Sequence, residues 1–268
     1  MNAKVAERAA NIPAVLVVGH SHLRALQNAV HERRPDAQFE PAPRFLQLRQ
    51  PGFEPDLTQA AANRAFWPPA AWAMLADPEP DCIVSCIAGQ SHTVLGLVEH
   101  VQRFDFVLDA APELALDETR EVLPGALVRA LMARQMQPDL LTMRALRHFS
   151  PRPVVHLNAP PPIPSAKHIL QYPNNFRERL KTFSVTPALI RYKLWRLQSA
   201  LTEQVCRELG FDFLPVPPQT QDEAGCLVPR AWNPDPSHGN AWYGEQVWAQ
   251  LAQHLQTSAR NAASTPSA

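Results

Sequence analysis

The chain alternates short, largely apolar runs with stretches in which apolar residues recur every three or four positions. Residues 14 to 18, AVLVV, form the first run, and Gly19 closes it. A run without polar positions marks a strand covered on both faces, as in a parallel sheet. Leu23, Leu26 and Val30 follow at helical spacing until Pro35, so the order is strand, sharp turn, helix. A weaker extended stretch from Gln38 to Leu48 carries prolines that place it at a sheet edge. Residues 57 to 76 read as helical with a break at Pro68 and Pro69, and CIVSCI (82–87) is a second buried strand ending at Ala88 and Gly89.

Residues 97 to 150 contain no convincing strand-like run; Pro124 opens a helix carrying Leu127, Val128, Leu131 and Gln135 as far as Pro138, which predicts a helical insertion. PVVHL (153–157) is a third core strand, closed by Asn158 and Pro160, Pro161 and Pro162. Thr186 as N-cap, Pro187 in the first turn and a stripe of Ile190, Leu194, Leu197, Leu201 and Val205 predict a long helix that Gly210 ends. FDFLPV (211–216) is a fourth core strand, a last helix is expected from Asn240 to Leu255, and the tail SARNAASTPSA is expected to be disordered. Strands alternating with helices predict an α/β fold, a doubly wound parallel sheet with right-handed crossovers. The expected division is an extension over 1–13, one domain over 14–256 with the insertion at about 97–150, and the tail over 257–268.

Composition narrows the function classes. With 268 residues the chain is long enough for a sizeable core, and 46% hydrophobic against 19% charged residues exclude intrinsic disorder. Lys plus Arg and Asp plus Glu number 25 each, so net charge is zero and nothing favours nucleic acid or an acidic membrane as partner. No apolar run approaches the roughly 20 residues of a bilayer span, and MNAKVAERAANI has no apolar core of a signal peptide, so a cytoplasmic location is expected. Four cysteines are too few for a disulfide framework; Cys82 and Cys86 fall on one face of a strand and read as buried thiols. Oligomeric state is not encoded in any of these features.

In doubly wound sheets ligands gather at the carboxyl ends of strands, which directs attention to the residues after Val18, Ile87, Leu157 and Val216. The first such turn reads Gly19-His20-Ser21-His22, a hydroxyl at a strand exit and a helix amino end, where free N–H groups can stabilise an oxyanion. The plain alternative for Ser21 is a helix N-cap. Near the end of the chain, Asp235 precedes His238 by three residues on a loop held by Pro234 and Pro236. A carboxylate so placed can accept the imidazole Nδ1–H and leave Nε2 to take a serine proton, the plain alternative being an Asx turn.

Together these motifs resemble the SGNH or GDSL hydrolases, whose first block sets a nucleophilic Ser after strand one and whose last is Asp-x-x-His before the final helix. Here the blocks read Gly19-His20-Ser21 and Asp235-Pro236-Ser237-His238, and Ala88-Gly89-Gln90-Ser91 followed by His92 is similar to the family's Gly-x-Asn-Asp block. The resemblance covers roughly residues 14 to 255. It implies a flavodoxin-like five-stranded sheet of order 2-1-3-4-5, with Ser21, His238 and Asp235 as catalytic triad and the Ser21 N–H in the oxyanion hole. His20 replaces the family's Asp, which is no triad member. Gln90 replaces the oxyanion Asn, keeping an amide on a longer stem, while the alternative register puts Ser91 there. For the family's second-block glycine, whose backbone N–H the resemblance implies as a further oxyanion-hole donor, Gly52 is assigned by elimination, as the one glycine between Gly19 and Gly89.

A competing use of His20, His22, His92, Asp235 and His238 is a metal site, although histidines two apart on a turn are a loose ligand spacing. His156 in a core strand reads as a satisfied buried histidine, and Trp232, Trp242 and Tyr243 read as core beside a helix start. The expected function is a serine esterase acting on small-molecule or carbohydrate O-acyl esters, O-acetyl among them, with no cofactor. The alternatives are an O-acyltransferase acting on a glycan and a catalytically inactive glycan-binding or assembly protein.

Overall fold

The computed structural model describes residues 13–33, 39, 42–59 and 66–264. Along the chain the strands are β1 (Val15–Gly19), β2 (Arg44–Gln47), β3 (Cys82–Cys86), β4 (Phe104–Phe106), β5 (Glu121–Leu123), β6 (Val154–Leu157) and β7 (Asp212–Leu214). The helices are α1 (Leu23–Arg33), α2 (Pro69–Ala76), α3 (Ser91–Gly96), α4 (Gly125–Phe149), α5 (Ala166–Gln171), α6 (Arg177–Leu180), α7 (Ala188–Leu209) and α8 (Ala241–Ser264). The large sheet is parallel throughout, in the order β2-β1-β3-β6-β7, with β4 and β5 set apart as a separate parallel pair. Counted among its own five strands, the large sheet runs 2-1-3-4-5, the flavodoxin-like order implied by the resemblance.

The apolar runs are explained by the two faces they serve. Leu16, Val18 and Ile83 point into one core with α4 and α7, while Val15, Val17, Cys82, Val84 and Cys86 point into the other with α1 and α8. A strand covered on both faces admits a polar residue only where it finds a partner, as Ser85 of β3 and His156 of β6 find each other at 3.0 Å. On the second face, α1 and α8 approach so closely that a Cβ on Gly244 would lie 2.0 Å from the Ala25 carbonyl oxygen, so only glycine permits this packing.

Several expected boundaries shift. β2 covers four residues of the extended stretch, of which Gln38, Glu40 and Pro41 lie outside the described residues, and it forms the sheet edge as expected. Of the helical reading over 57–76, residues 60–65 also lie outside, and α2 begins at Pro69. The region 97–150 holds two strands as well as a helix, and β4 and β5, three residues each, are too short to display a period of two.

Helix α4 also continues past Pro138 to Phe149, because buried Met132, Met136, Leu140, Met143 and Leu146 hold one face against the core on both sides of the proline. This helix is the crossover between β3 and β6, so much of the expected insertion belongs to the regular winding of the fold. Helix α7 takes Pro187 as its N-cap; Thr186 instead uses its carbonyl oxygen to accept from buried Arg191 at 2.8 Å. Helix α8 runs on to Ser264, so residues 258–264 of the expected disordered tail are helical. Among the described residues no helix is long and apolar enough to cross a membrane.

Buried Lys193 of α7 ties the β4–β5 region to the core. Its ammonium donates to both Asp105 carboxylate oxygens, at 2.9 and 3.0 Å, and to the Phe106 and Ala115 carbonyls. A buried charge is tolerated only when its donors are satisfied in this way.

Candidate active site

Of the expected site residues, Ser21, Gln90, Asp235 and His238 lie at the carboxyl ends of β1 and β3 and on the loop before α8. Ser21 sits in the tight turn between β1 and α1, where the N–H groups of Leu23, Arg24 and Ala25 already turn back to His20, Ser21 and His22. Its hydroxyl is 2.8 Å from His238 Nε2, and His238 Nδ1 is 3.0 Å from Asp235 Oδ1. Asp235 is buried, and its Oδ1 accepts the N–H groups of Ser237 and His238, each at 2.8 Å, while Oδ2 accepts from the Asn233 amide at 2.6 Å. Burial works against its charge, but the bonds and charge of His238, with Asn233 and Ser237, outweigh burial and hold the carboxyl below the usual range. His168 of α5 braces the same loop, its Nε2 lying 2.9 Å from the Asn233 carbonyl and 3.1 Å from that of Asp235.

The turn after β3 brings in the amide. Gln90 Nε2 donates to Ser21 Oγ at 2.6 Å and lies 3.4 Å from His238 Nε2, whereas Ser91, the alternative donor, is buried at the start of α3 with no described bond to the triad. The backbone is bent sharply to achieve this, for Ala88 takes φ +65°, a conformation that costs a residue with a Cβ roughly 1 kcal/mol. Gln198 of α7 holds the bend, donating to the Ala88 carbonyl at 2.9 Å and accepting the His92 N–H at 2.7 Å. Gly89 lets His22 in: a Cβ there would sit 2.1 Å from the His22 ring. That ring in turn packs against His238, tilted by 44° with centroids 4.7 Å apart.

Gly52 is not brought to this cluster. It occupies an exposed turn at φ +84°, and no described residue lies within 4 Å of its Cβ position. The register explains why: Gln47 pairs with Gly19, so β2 reaches the nucleophile turn at residues 48 and 49 rather than at 52. The residue it delivers is Arg49, whose Nη1 donates to Gln90 Oε1 at 3.1 Å.

The remaining histidines separate. His20 lies 3.6 Å from Asp139, and burial with the Arg49 charge lowers its pKa to about 4. His92 turns its Nδ1 to Gln198 and is lowered to about 4, chiefly by burial. Burial, then His238 and His92, keep His22 neutral, and His156 bonds to Ser85 inside the sheet. Among the described residues no group of three or more His, Cys, Asp or Glu side chains is arranged to hold a metal ion. Tyr243 is core, and Trp232 and Trp242 pack against it.

A cavity of about 300 Å³ opens beside the triad, lined by Gln90, Thr93, Asn174, Asn175, Phe176 and His238, among others. Asn174 and Asn175 come from a single 3-10 turn, Asn174–Phe176, just before α6. Nothing in the hydrophobic pattern singles them out. Gln198 did carry a signal, as a polar residue set in the apolar stripe of α7, whereas His168 lies in a stretch without a readable pattern and carried none.

No family model matches the chain, and no curated protein does. Several solved structures overlap with it loosely. A GDSL-like lipase from Bacteroides thetaiotaomicron shares 12% identity over 95% of this chain and 96% of its own, with a TM-score of 0.39. The periplasmic domain of a lipopolysaccharide acetyltransferase from Salmonella Paratyphi A shares 11%, over 95% and 89%, with a TM-score of 0.45. Est24, a carbohydrate acetylesterase from Sinorhizobium meliloti, shares 12%, over 92% and 99%, with a TM-score of 0.42. At such overlap the functional reading rests on the residues at the end of the sheet.

Proposed function

We propose that the protein is a serine esterase acting on O-acyl esters of small or carbohydrate alcohols. The observation that carries this reading is the unbroken relay from Ser21 Oγ through His238 to Asp235, at 2.8 and 3.0 Å, in a half-buried turn. Ser21 Oγ attacks the acyl carbon while its proton passes to His238 Nε2 and the carbonyl electron pair moves onto oxygen. The Ser21 N–H and the Gln90 amide hold that oxyanion, and Asp235 keeps Nδ1–H engaged so that Nε2 is the basic nitrogen. Collapse breaks the bond to the alcohol, which leaves with the proton from His238. Water then repeats the sequence on the acyl-enzyme and restores Ser21.

The cavity beside His238 adjoins the proposed base, and its amides and hydroxyls suit a polyhydroxylated alcohol as leaving group. The same pocket suits an acceptor hydroxyl in place of water, which supports acyl transfer to a sugar as the second reading.

An uncharged fluorophosphonate probe tests the reading: it should label wild-type protein at Ser21 and leave Ser21→Ala unlabelled. On p-nitrophenyl esters Ser21→Ala should lose on the order of 10³-fold or more in turnover. Faster acyl release on adding sugar acceptors, with the acyl group recovered on the sugar, would identify the transferase. Absence of both labelling and turnover in folded wild-type protein would leave a binding module.

A further inference from the structure

The two ends of a glutamine amide are nearly identical in shape, and their hydrogen-bond partners decide which end goes where. At Gln90 this choice decides what the reacting carbonyl meets. With nitrogen toward Ser21 the amide offers a donor to a developing oxyanion; with oxygen there it offers a partial negative charge. The reversed amide would also place an acceptor against Ser21 Oγ and His238 Nε2, which lie 2.6 and 3.4 Å from the present nitrogen. In that position it competes for the serine proton and stabilises the protonated imidazole.

The far end of the amide is bonded by Arg49. Arg49 Nη1 lies 3.1 Å from Gln90 Oε1, and a guanidinium donates without accepting, so it pairs with the oxygen and excludes the reversed amide. Its position follows from the sheet. The Leu48 N–H donates to the Gly19 carbonyl at 2.9 Å and the Leu48 side chain is buried, which leaves Arg49 exposed above the nucleophile turn. Its charge also strengthens the opposite N–H as a donor, because charge-assisted bonds polarise the group they engage. Asp139 lies close enough to feel that charge, and supplies a counter-charge when ionised.

Building on the esterase reading, we propose that Arg49 is a positioning residue, setting the orientation of the Gln90 amide so that its N–H faces the oxyanion. It acts through Gln90 and needs no contact with substrate. Nothing in the glycine-based assignment of this part of the site pointed to it.

The test uses full-length protein, the uncharged fluorophosphonate and an uncharged p-nitrophenyl ester, so that Arg49 cannot act by attracting reagent charge. Arg49→Met keeps the length of the side chain and removes its donors, and being exposed it should leave the thermal melt unchanged. Expected is a loss of about tenfold in kcat and in the labelling rate, with KM within about twofold. Arg49→Lys should recover most of it. The midpoint of the pH–kcat/KM profile should move upward in Arg49→Met, since the freed amide oxygen can stabilise protonated His238 while its other neighbours, His22 and Asp235, are untouched. In a Gln90→Ala background Arg49→Met should have no further effect on kcat. Full additivity with Gln90→Ala, a loss confined to KM, or wild-type behaviour of Arg49→Met would each overturn the proposal. An unlabelled, inactive wild type would instead overturn the esterase reading on which it stands.

Discussion

Residues 233–238 and residues 88–92 each deliver one side chain to Ser21, the first His238 and the second Gln90. In the first segment every bond to the Asp235 carboxylate comes from within three residues: Asn233, Ser237 and His238 supply the donors. In the second the bonds are remote. Gln198 reaches Ala88 and His92 across 110 and 106 positions, and Arg49 reaches Gln90 across 41. The Asp235 carboxylate is therefore satisfied locally, with His168 of α5 as a remote brace on its loop, while the other loop is bent into shape by helices and strands that must already have assembled. The base should be less sensitive to changes elsewhere in the fold than the oxyanion donor.

Three variants and one control test this contrast. Asp235→Asn attacks the local loop at its centre, removing the charge that supports His238 while keeping the volume. Its kcat/KM on a p-nitrophenyl ester should fall by roughly 10⁴, as when a triad carboxylate is neutralised elsewhere. A loss below tenfold would show that the carboxylate only shapes the loop. Gln90→Ala should cost about a hundredfold in kcat with KM nearly intact, because the amide serves the transition state more than the bound ester. Ser91→Ala is the control and should stay close to wild type; the opposite outcome would move the donor one residue along the chain.

The smallest effect is expected from Gln198→Leu, which touches neither Ser21 nor His238. It strips partners from the buried Ala88 carbonyl and His92 N–H, and should lower unfolding stability by about 1–3 kcal/mol in urea titrations. Turnover should drop by about tenfold through loss of the Gln90 geometry. Lower stability with unchanged turnover would mean that the bend at Ala88 holds without its remote anchor, and the contrast between the two loops would fail.

How much could be read from the chain follows the same division. The three central strands, β1, β3 and β6, are visible as largely apolar runs because both of their faces are covered, whereas the edge strands β2 and β7 carry weaker signals. β4 and β5 are invisible, being short and set apart from that sheet. Ser21 is marked by its place after an apolar run, and Asp235 and His238 by their spacing. The glycine argument led to Gly52, since elimination along a sequence ignores where a strand ends; the pairing of Gln47 with Gly19 brings Arg49 instead.

What the sequence by itself determined is whatever depends on neighbours within a few residues: the hydrophobic period of the core strands and long helices, the strand-to-helix turn that carries Ser21, and the carboxylate three residues before His238. What only the tertiary structure decided is which distant groups share the end of the sheet. Strand register put Arg49 against Gln90, and the packing of α7 put Gln198 under Ala88. The bracing of the Asp235 loop by His168 and the cavity edged by Asn174 and Asn175 were settled in the same way. The physical reason is that hydrogen bonds between remote segments form only after chain entropy has been overcome by burial of the core, so local sequence holds no record of them.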